Sequence, residues 1–356
     1  MDKKPTLEQF AEIAERDRRI AMLSSELKRE RARSSMLERG TEALQQRLGV
    51  LEKCTENVVA AAPAWLLGPK EKGSTHHGMP TALFSDWHLD EVVRPEEIEG
   101  RNKFNRKIAL QRMHRLHDKV HLILNDYVKG LTYDGLCIML GGDMLSGSIH
   151  EELIETNEET VYGSLDFWSE QLAGLLNAFA TDFPRVHVAG VVGNHGRRTR
   201  KPVAKRRVRD NLDWLMYRMV ARQTPNITWT IPESADVTVR VYDTSYLLTH
   251  GDQFRGGSGI SGIMAPILLG QHRKVQQRNA IGEQPFDYMA LGHWHQWTPP
   301  GRGVIINGAL KGFDEHAYVS NYRYEPPIQG FWITTPENGI ALTAPIFCGN
   351  RKAEGW

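Results

Sequence analysis

From Thr81 onward, short apolar runs alternate with longer stretches in which apolar residues recur every three or four positions. Short runs bounded by glycine and polar clusters read as buried strands, and the longer pattern reads as helix. Thr81–Ser85, Leu136–Leu140 and Val186–Val192 are runs of the first kind. Residues 103–129, 158–182 and 203–222 carry the helical pattern, with Ile108, Leu116, Val120, Ile123 and Leu124 as apolar positions of the first. Strand–helix–strand–helix–strand is the order of a layered α/β fold. The later chain is richer in strands. Ile227–Thr230, Val237–Val241, Ser245–Thr249, Tyr288–Leu291, Val304–Ile306, Phe331–Thr334 and Ala341–Ile346 all fit, with one helix at about 260–279 between them.

The start of the chain has a different pattern. Residues 6–53 are rich in Glu, Arg, Leu and Ala, lack proline, and predict one long helix. A heptad from Ile13 places Ile13, Ile20, Leu23, Leu27, Leu37, Leu44, Leu48 and Leu51 at a and d, beside Arg16, Glu30, Ser34 and Thr41. That is a coiled-coil pattern. So narrow a stripe on so long a helix needs a partner. Residues 1–53 are therefore expected to form a homo-oligomer or to dock another protein, the alternative being a helix folded back on its own domain. Residues 54–80, punctuated by Pro63, Gly68, Pro69, Gly73, Gly78 and Pro80, read as a linker. His76 and His77 lie in it and read as solvated loop. Residues 81–356 are left as the main folded domain.

Composition narrows the class. The 356 residues hold 44 Lys and Arg against 43 Asp and Glu, a net charge of +1, with 40% hydrophobic residues. This balance excludes a disordered chain, a collagen and a membrane bundle. No apolar leader core opens the sequence and no window of about 18 apolar residues occurs, so no membrane span is expected. Cys54, Cys137 and Cys348 are too scattered for a disulfide framework, which points to a reducing, cytoplasmic compartment. A neutral average does not exclude nucleic acid, because it can conceal a local basic patch.

The candidate chemistry sits at the ends of the predicted strands. These run in turn into Ser85-Asp86-Trp87-His88, Gly141-Gly142-Asp143, Gly193-Asn194-His195-Gly196, His250-Gly251-Asp252 and Gly292-His293-Trp294-His295. Ligands of open α/β sheets bind beyond the carboxyl ends of the strands. Carboxylates with imidazoles suit first-row divalent ions such as Mn²⁺, Fe²⁺, Zn²⁺ or Ni²⁺, whereas calcium prefers all-oxygen sites. His117 and His121, near His114, are spaced to bind zinc on a helix. No central Glu or third ligand is evident for them, so they read as surface or half-buried residues. Trp87 and Trp294 are expected near the site without being required by its chemistry.

The ordered set Asp-x-His, Gly-Asp, Gly-Asn-His, His-Gly and Gly-His-x-His resembles the five motifs of the calcineurin-like metallophosphoesterases, over about residues 81–312. The resemblance implies a four-layer α/β/β/α sandwich. It implies two divalent ions, manganese ahead of iron, zinc or nickel. Asp86, His88 and His295 would hold one ion, and Asn194, His250 and His293 the other, with Asp143 bridging. His195 would contact the scissile phosphate and assist the leaving group. The implied reaction is hydrolysis of a phosphate ester by a hydroxide held between the two metals. The third motif departs from the family in ending at Gly196, where many relatives carry an acid that supports the site. The second lacks the Asp-Arg-Gly extension of protein phosphatases, and no tyrosine ligand of the purple acid phosphatase kind is evident. Residues 307–318 resemble, more loosely, phage-encoded members grouped with the SbcD-type DNA-repair exonucleases. In that region Asp314 and Tyr318 are candidates to line the cleft, or to serve the structure.

The substrate expectation rests on charge. Arg197, Arg198, Arg200, Lys201, Lys205, Arg206, Arg207 and Arg209 follow His195 with no acidic residue among them. Beside a metal site this favours a polyanion, most simply a nucleic-acid backbone gripped by Arg197, Arg198 and Arg200. The plainer reading is ion pairing to the acidic Glu151–Glu159 segment. The glycine-rich run from His250 to Gly262 offers amides and Arg255 to the same ligand, or is simply a turn into the next helix. A small nucleotide or signalling phosphoester is the alternative substrate, and a scaffold acting through the N-terminal coil is the alternative to an enzyme.

Overall fold

The structure is a computed structural model that describes residues 16, 19–20, 22–38, 41, 45, 63–67, 76–255 and 262–356. The chain divides into two units, Met1–Glu56 and Asn57–Trp356. In the first, residues 22–38 are helical. Ile20, Leu23, Leu27 and Leu37 of the heptad stripe are exposed. The heptad positions Ile13, Leu44, Leu48 and Leu51, and also Cys54, lie outside the described residues.

The second unit is built on two sheets. Strands β1 (His77–Phe84), β3 (Leu136–Leu140), β4 (Val186–Gly190) and β5 (Ile227–Thr230) run parallel, and β11 (Ile328–Thr335) and β12 (Gly339–Thr343) continue the sheet antiparallel from β1. The short β2 (Thr132–Tyr133) and β13 (Ile346–Phe347) pair at β1 and β11. The second sheet has the order β6 (Asp236–Val241), β7 (Thr244–Thr249), β8 (Tyr288–Leu291), β10 (Val304–Ile306), β9 (Thr298–Gly301). Helices α1 (Arg106–Leu122), α2 (Glu151–Thr156), α3 (Val161–Asp182), α4 (Leu212–Gln223), α5 (Met264–Ala280), α6 (Glu315–Val319) and α7 (Arg351–Glu354) fill the connections.

Strand alternation sorts the side chains into layers. Leu136, Ile138 and Leu140 of β3 join the core under α1, α3 and α4, while Cys137 and Met139 face the second sheet. Tyr246 and Leu248 of β7 enter that same inter-sheet core, and Leu247 turns outward to meet Ile267 of α5. Ala290 and Ile305 repeat the pattern against Met289, Leu291, Val304 and Ile306. The order is thus helices, sheet, sheet, helix, the four-layer α/β/β/α sandwich expected of the calcineurin-like fold. Each of these buried aliphatic side chains contributes about 1.5–3 kcal/mol through the water it sheds.

Several element boundaries differ from the sequence reading. Strand β1 begins at His77, inside the stretch read as linker. His77 is buried, with Nδ1 3.3 Å from Asp134, and is no solvated loop residue. The stretch also contributes Leu66, fully buried between the sheets. The helix expected over 203–222 starts only at Leu212, capped by the Asn211 side chain, and the basic residues before it lie in turns and bends. Their charges repel at helical spacing and favour the looser path. Ala341–Ile346 splits into β12 and β13 around Ala344 and Pro345.

Candidate metal centre

Register brings the motifs together. Phe84 pairs with Leu140 and Leu140 with Gly190, so β1, β3 and β4 end side by side. In the other sheet Thr249 pairs with Leu291. The loops that follow are laced across: Asp86 N–H donates to the Gly142 carbonyl, His88 N–H to that of Asp143, and Gly292 N–H to that of His250. Five strand ends thereby deliver their side chains to one place.

Two donor groups form there. Asp86, His88 and His295 compose one, with His88 Nε2 3.1 Å from His295 Nε2 and His295 Nε2 3.4 Å from Asp86 Oδ1. Asp143, His250 and His293 compose the other, and His250 Nε2 lies 3.0 Å from Asp143 Oδ2 and 3.2 Å from Asn194 Oδ1. Within each group the donor atoms lie within 4.8 Å of one another. Asp143 also groups with His88 and His195, which puts it between the two sets. His195 Nδ1 lies 2.8 Å from the Ser146 carbonyl, and its backbone N–H donates to Asp143 Oδ1 at 2.6 Å. The Nδ1–H tautomer that this carbonyl demands leaves Nε2 free.

The backbone is strained where the candidate ligands sit. Asp86, His88, Asp143, His293 and His295 have φ of 56°, 46°, 52°, 69° and 51°, all in the left-handed region. That conformation costs an ordinary residue about 1–2 kcal/mol, and it persists only where surrounding bonds over-determine it. The bonds are visible. Ser85 Oγ donates to Asp86 Oδ2 at 2.5 Å, Asn307 Nδ2 donates to Ser85 Oγ at 2.8 Å, and His293 N–H donates to Asp86 Oδ1 at 2.9 Å. A Cβ on Gly193 would collide with the Asp143 carboxylate, so only glycine fits that approach.

Charge inside the site follows from burial. Burial pushes the His88, His195 and His293 rings down, the last two to about 4, so they are neutral at neutral pH. Burial works against the His250 charge too, but the Asp143 carboxylate overrides it and raises the ring to about 10. In return His250 and His195 outweigh the desolvation of Asp143 and hold its carboxyl well below the ordinary range. Neutral imidazoles with ionised carboxylates are the forms that bind divalent ions, so an ion arriving here would displace the proton that Asp143 holds on His250. The donor set, buried and convergent, therefore fits a pair of such ions.

Three supporting groups had no signal in the sequence. Asp213, fully buried, accepts from Asp143 N–H and Gly193 N–H at 2.9 Å each and from Met144 N–H at 3.2 Å. Burial and the nearby Asp143 charge push its carboxyl up to about 6. It supplies an acidic support that the third motif lacks at Gly196, where a side chain would strike Asn211. Glu91 Oε2 lies 3.2 Å from His88 Nδ1, and Lys311, also buried, bonds Glu91 at 2.7 Å and Asp314 at 2.5 Å. Burial opposes the Lys311 charge, but Asp314 and Glu91 outweigh it and keep it protonated. Asp314 thus serves the structure, also capping α6 through Ala317 N–H, and Tyr318 packs under the Arg101 guanidinium at 5.0 Å. Trp87 is core, donating to Gln329 Oε1, while Trp294 meets His293 edge-on at 5.6 Å.

The basic segment is partly committed elsewhere. Arg197 bonds the carbonyls of Thr199 and Arg200 in its own loop. Arg198 pairs with Asp210 at 3.1 Å, Arg200 with Glu151, and Arg207 with Asp252. The Arg200 bond is the pairing to the acidic segment that the plainer reading foresaw. Among the described residues Lys201, Lys205 and Arg206 make no ion pair. Arg255 is exposed at the edge of residues 256–261, which lie outside the described residues.

No family model matches the chain, and no curated protein matches it. The solved structures that match are distant. A conserved uncharacterized protein of Streptococcus pneumoniae, a predicted phosphoesterase, is 10% identical over 76% of this chain and 98% of its own, with a TM-score of 0.29. A Vps29 single mutant of Entamoeba histolytica is 11% identical over 75% and 98%, with a TM-score of 0.32. A putative 5'-nucleotidase of Staphylococcus aureus is 11% identical over 77% and 55%, with a TM-score of 0.36. Among the described residues no helix is long and apolar enough to cross a membrane. By its own geometry the chain is a four-layer α/β sandwich whose two sheets bring a buried cluster of histidines and carboxylates together at their carboxyl ends.

Proposed function

We propose that the chain is a metal-dependent phosphoesterase that cleaves phosphodiesters, with nucleic acid as its substrate. One observation carries the reading: Asp86, His88, Asp143, Asn194, His250, His293 and His295 converge from five strand ends, with His195 beside them. Asp86, His88 and His295 would hold one divalent ion, Asn194, His250 and His293 a second, and Asp143 both, manganese being the first candidate. Bound there, two divalent ions supply charge that polarises a phosphoryl oxygen and acidifies a water.

The side chains do the rest. Asp213 fixes the turn that aims Asp143, and the Glu91 carboxylate lies 3.2 Å from His88 Nδ1, on the ring edge away from the site. His195, tied to Ser146 by Nδ1, keeps Nε2 for the substrate. An anionic phosphate arriving beside this ring raises its affinity for a proton, which it then delivers to the departing oxygen. Arg198, Arg200, Lys201, Lys205 and Arg206 would follow the backbone of a polymer. Freeing Arg198 and Arg200 from exposed carboxylates costs little, because such pairs contribute about 0–1 kcal/mol. A small nucleotide is the second reading, favoured by the spending of Arg197 on its own loop. The exposed stripe of Ile20, Leu23, Leu27 and Leu37 supports self-association or a partner helix.

Mn²⁺-loaded protein assayed on bis-p-nitrophenyl phosphate, p-nitrophenyl phosphate and labelled single- and double-stranded DNA tests the proposal. Cleavage of the diester and of DNA is expected. Monoester cleavage alone would overturn the nuclease reading, and no turnover with any first-row metal would overturn the enzyme.

A further inference from the structure

A second cluster of metal-binding side chains lies on the outer helical layer. Helix α1 presents His117 and His121 one turn apart on one face. The last residue of α3, Asp182, reaches between them: His117 Nε2 lies 2.9 Å and His121 Nε2 3.0 Å from the same oxygen, Asp182 Oδ2. The sequence concealed this third group, because it lies 61 residues beyond His121. The rings are 4.6 Å apart, and Phe179 and Phe183 wall the cluster, the latter stacked on His121 at 5.6 Å. All three side chains keep one edge to solvent, with exposures of 22%, 27% and 36%.

We propose that His117, His121 and Asp182 form a binding site for a divalent transition ion of the zinc, nickel or copper class, separate from the strand-end centre. Donors at about 2.0–2.2 Å from one ion lie no more than about 4.4 Å apart, and both Nε2–Oδ2 separations fall within that limit. Two imidazoles and one carboxylate match the ligand set of three-ligand zinc sites, and the solvent edge leaves a fourth position for water. Without an ion, His117 Nε2 and His121 Nε2 stand at hydrogen-bond distance from Asp182 Oδ2, and a bound cation would take the place of the proton on each nitrogen. Topology keeps this site away from the other. Asp182 precedes β4 and so stands at the amino ends of the parallel strands, whereas Asp143 and Asn194 follow their carboxyl ends. A bound ion would clip α1 to the end of α3.

Zinc protection of histidines tests this on the unmodified full chain. Protein stripped of metal is treated with diethyl pyrocarbonate, with and without Zn²⁺, and modification at each histidine is read by peptide mass spectrometry. Protection of His117 and His121, with His114 on the same helix still modified, is expected. Equal modification of His117 and His121 with and without Zn²⁺ would overturn the proposal and leave a simple hydrogen-bonded clamp. As a second measurement, His117→Ala/His121→Ala should bind one equivalent of Zn²⁺ fewer per chain than the unmodified protein. It should keep its rate on bis-p-nitrophenyl phosphate. An unchanged stoichiometry would refute the site.

Discussion

Replacing Asp213 tests how the centre is held. Its carboxylate satisfies three buried amides, those of Asp143, Met144 and Gly193. In Asp213→Ala all three lose their acceptor. A buried amide left unsatisfied costs about 1–3 kcal/mol, so the variant should lose about 3–9 kcal/mol, a large part of a domain's usual 5–15. Asp213→Asn separates the contributions. Its carbonyl oxygen can take the place of Oδ2 and keep the Asp143 and Gly193 amides, while its NH₂ is turned toward Met144 N–H. One bond is lost and two are weakened, a cost of about 2–4 kcal/mol. Urea unfolding in the presence of a chelator gives both numbers. The Asn variant should also bind metal more weakly, because the turn that aims Asp143 is loosened. A loss below about 1 kcal/mol in Asp213→Ala would refute the claim that this carboxylate holds the turn.

Other substitutions probe other parts. His195→Ala should retain its metal and lose about 10²–10⁴ in rate, seen by metal analysis beside steady-state kinetics; an unchanged rate would remove it from the chemistry. Arg198→Ala/Arg200→Ala should weaken binding of DNA, with a shallower dependence on salt, and spare bis-p-nitrophenyl phosphate; fluorescence anisotropy across a salt series reads this. Arg112 is fully buried on Glu354 and on the Leu310 and Lys311 carbonyls, so Arg112→Met should cost about 3–5 kcal/mol in chemical denaturation. Burial opposes the Glu354 charge, but Arg112 overrides it and holds the carboxyl at about 2. A depressed carboxyl stabilises the fold above its unfolded value of 4.5 and loses that contribution as pH falls toward about 2. The variant should therefore show a weaker acid dependence than the unmodified chain over that window.

The strands were legible because their buried runs are short and bounded, and the candidate ligands because each follows such a run. Asp86, His88, Asp143, Asn194, His250, His293 and His295 meet where that order implied. Their supports were not legible, since each acts across a long stretch of chain. Asp213 lies 70 residues from Asp143, and Lys311 lies 220 from Glu91. No local periodicity marks either. The basic segment misled in a different way: its composition suited a helix, but like charges at helical spacing left it in turns until Asn211 supplied a cap. His77 read as loop because Gly78 and Pro80 flank it. β1 accommodates both, Pro80 within the strand and Gly78 where a side chain would press on Ile333.

Asp143 is proposed to join two metal positions into one hydrolytic centre. Metal-stripped protein and its Asp143→Asn variant, each titrated with Mn²⁺ while bis-p-nitrophenyl phosphate hydrolysis is followed, test it directly. No turnover is expected without metal, with recovery as Mn²⁺ is added to the unmodified chain and none in the variant. Hydrolysis that survives a chelator, or that Asp143→Asn leaves intact, would contradict it.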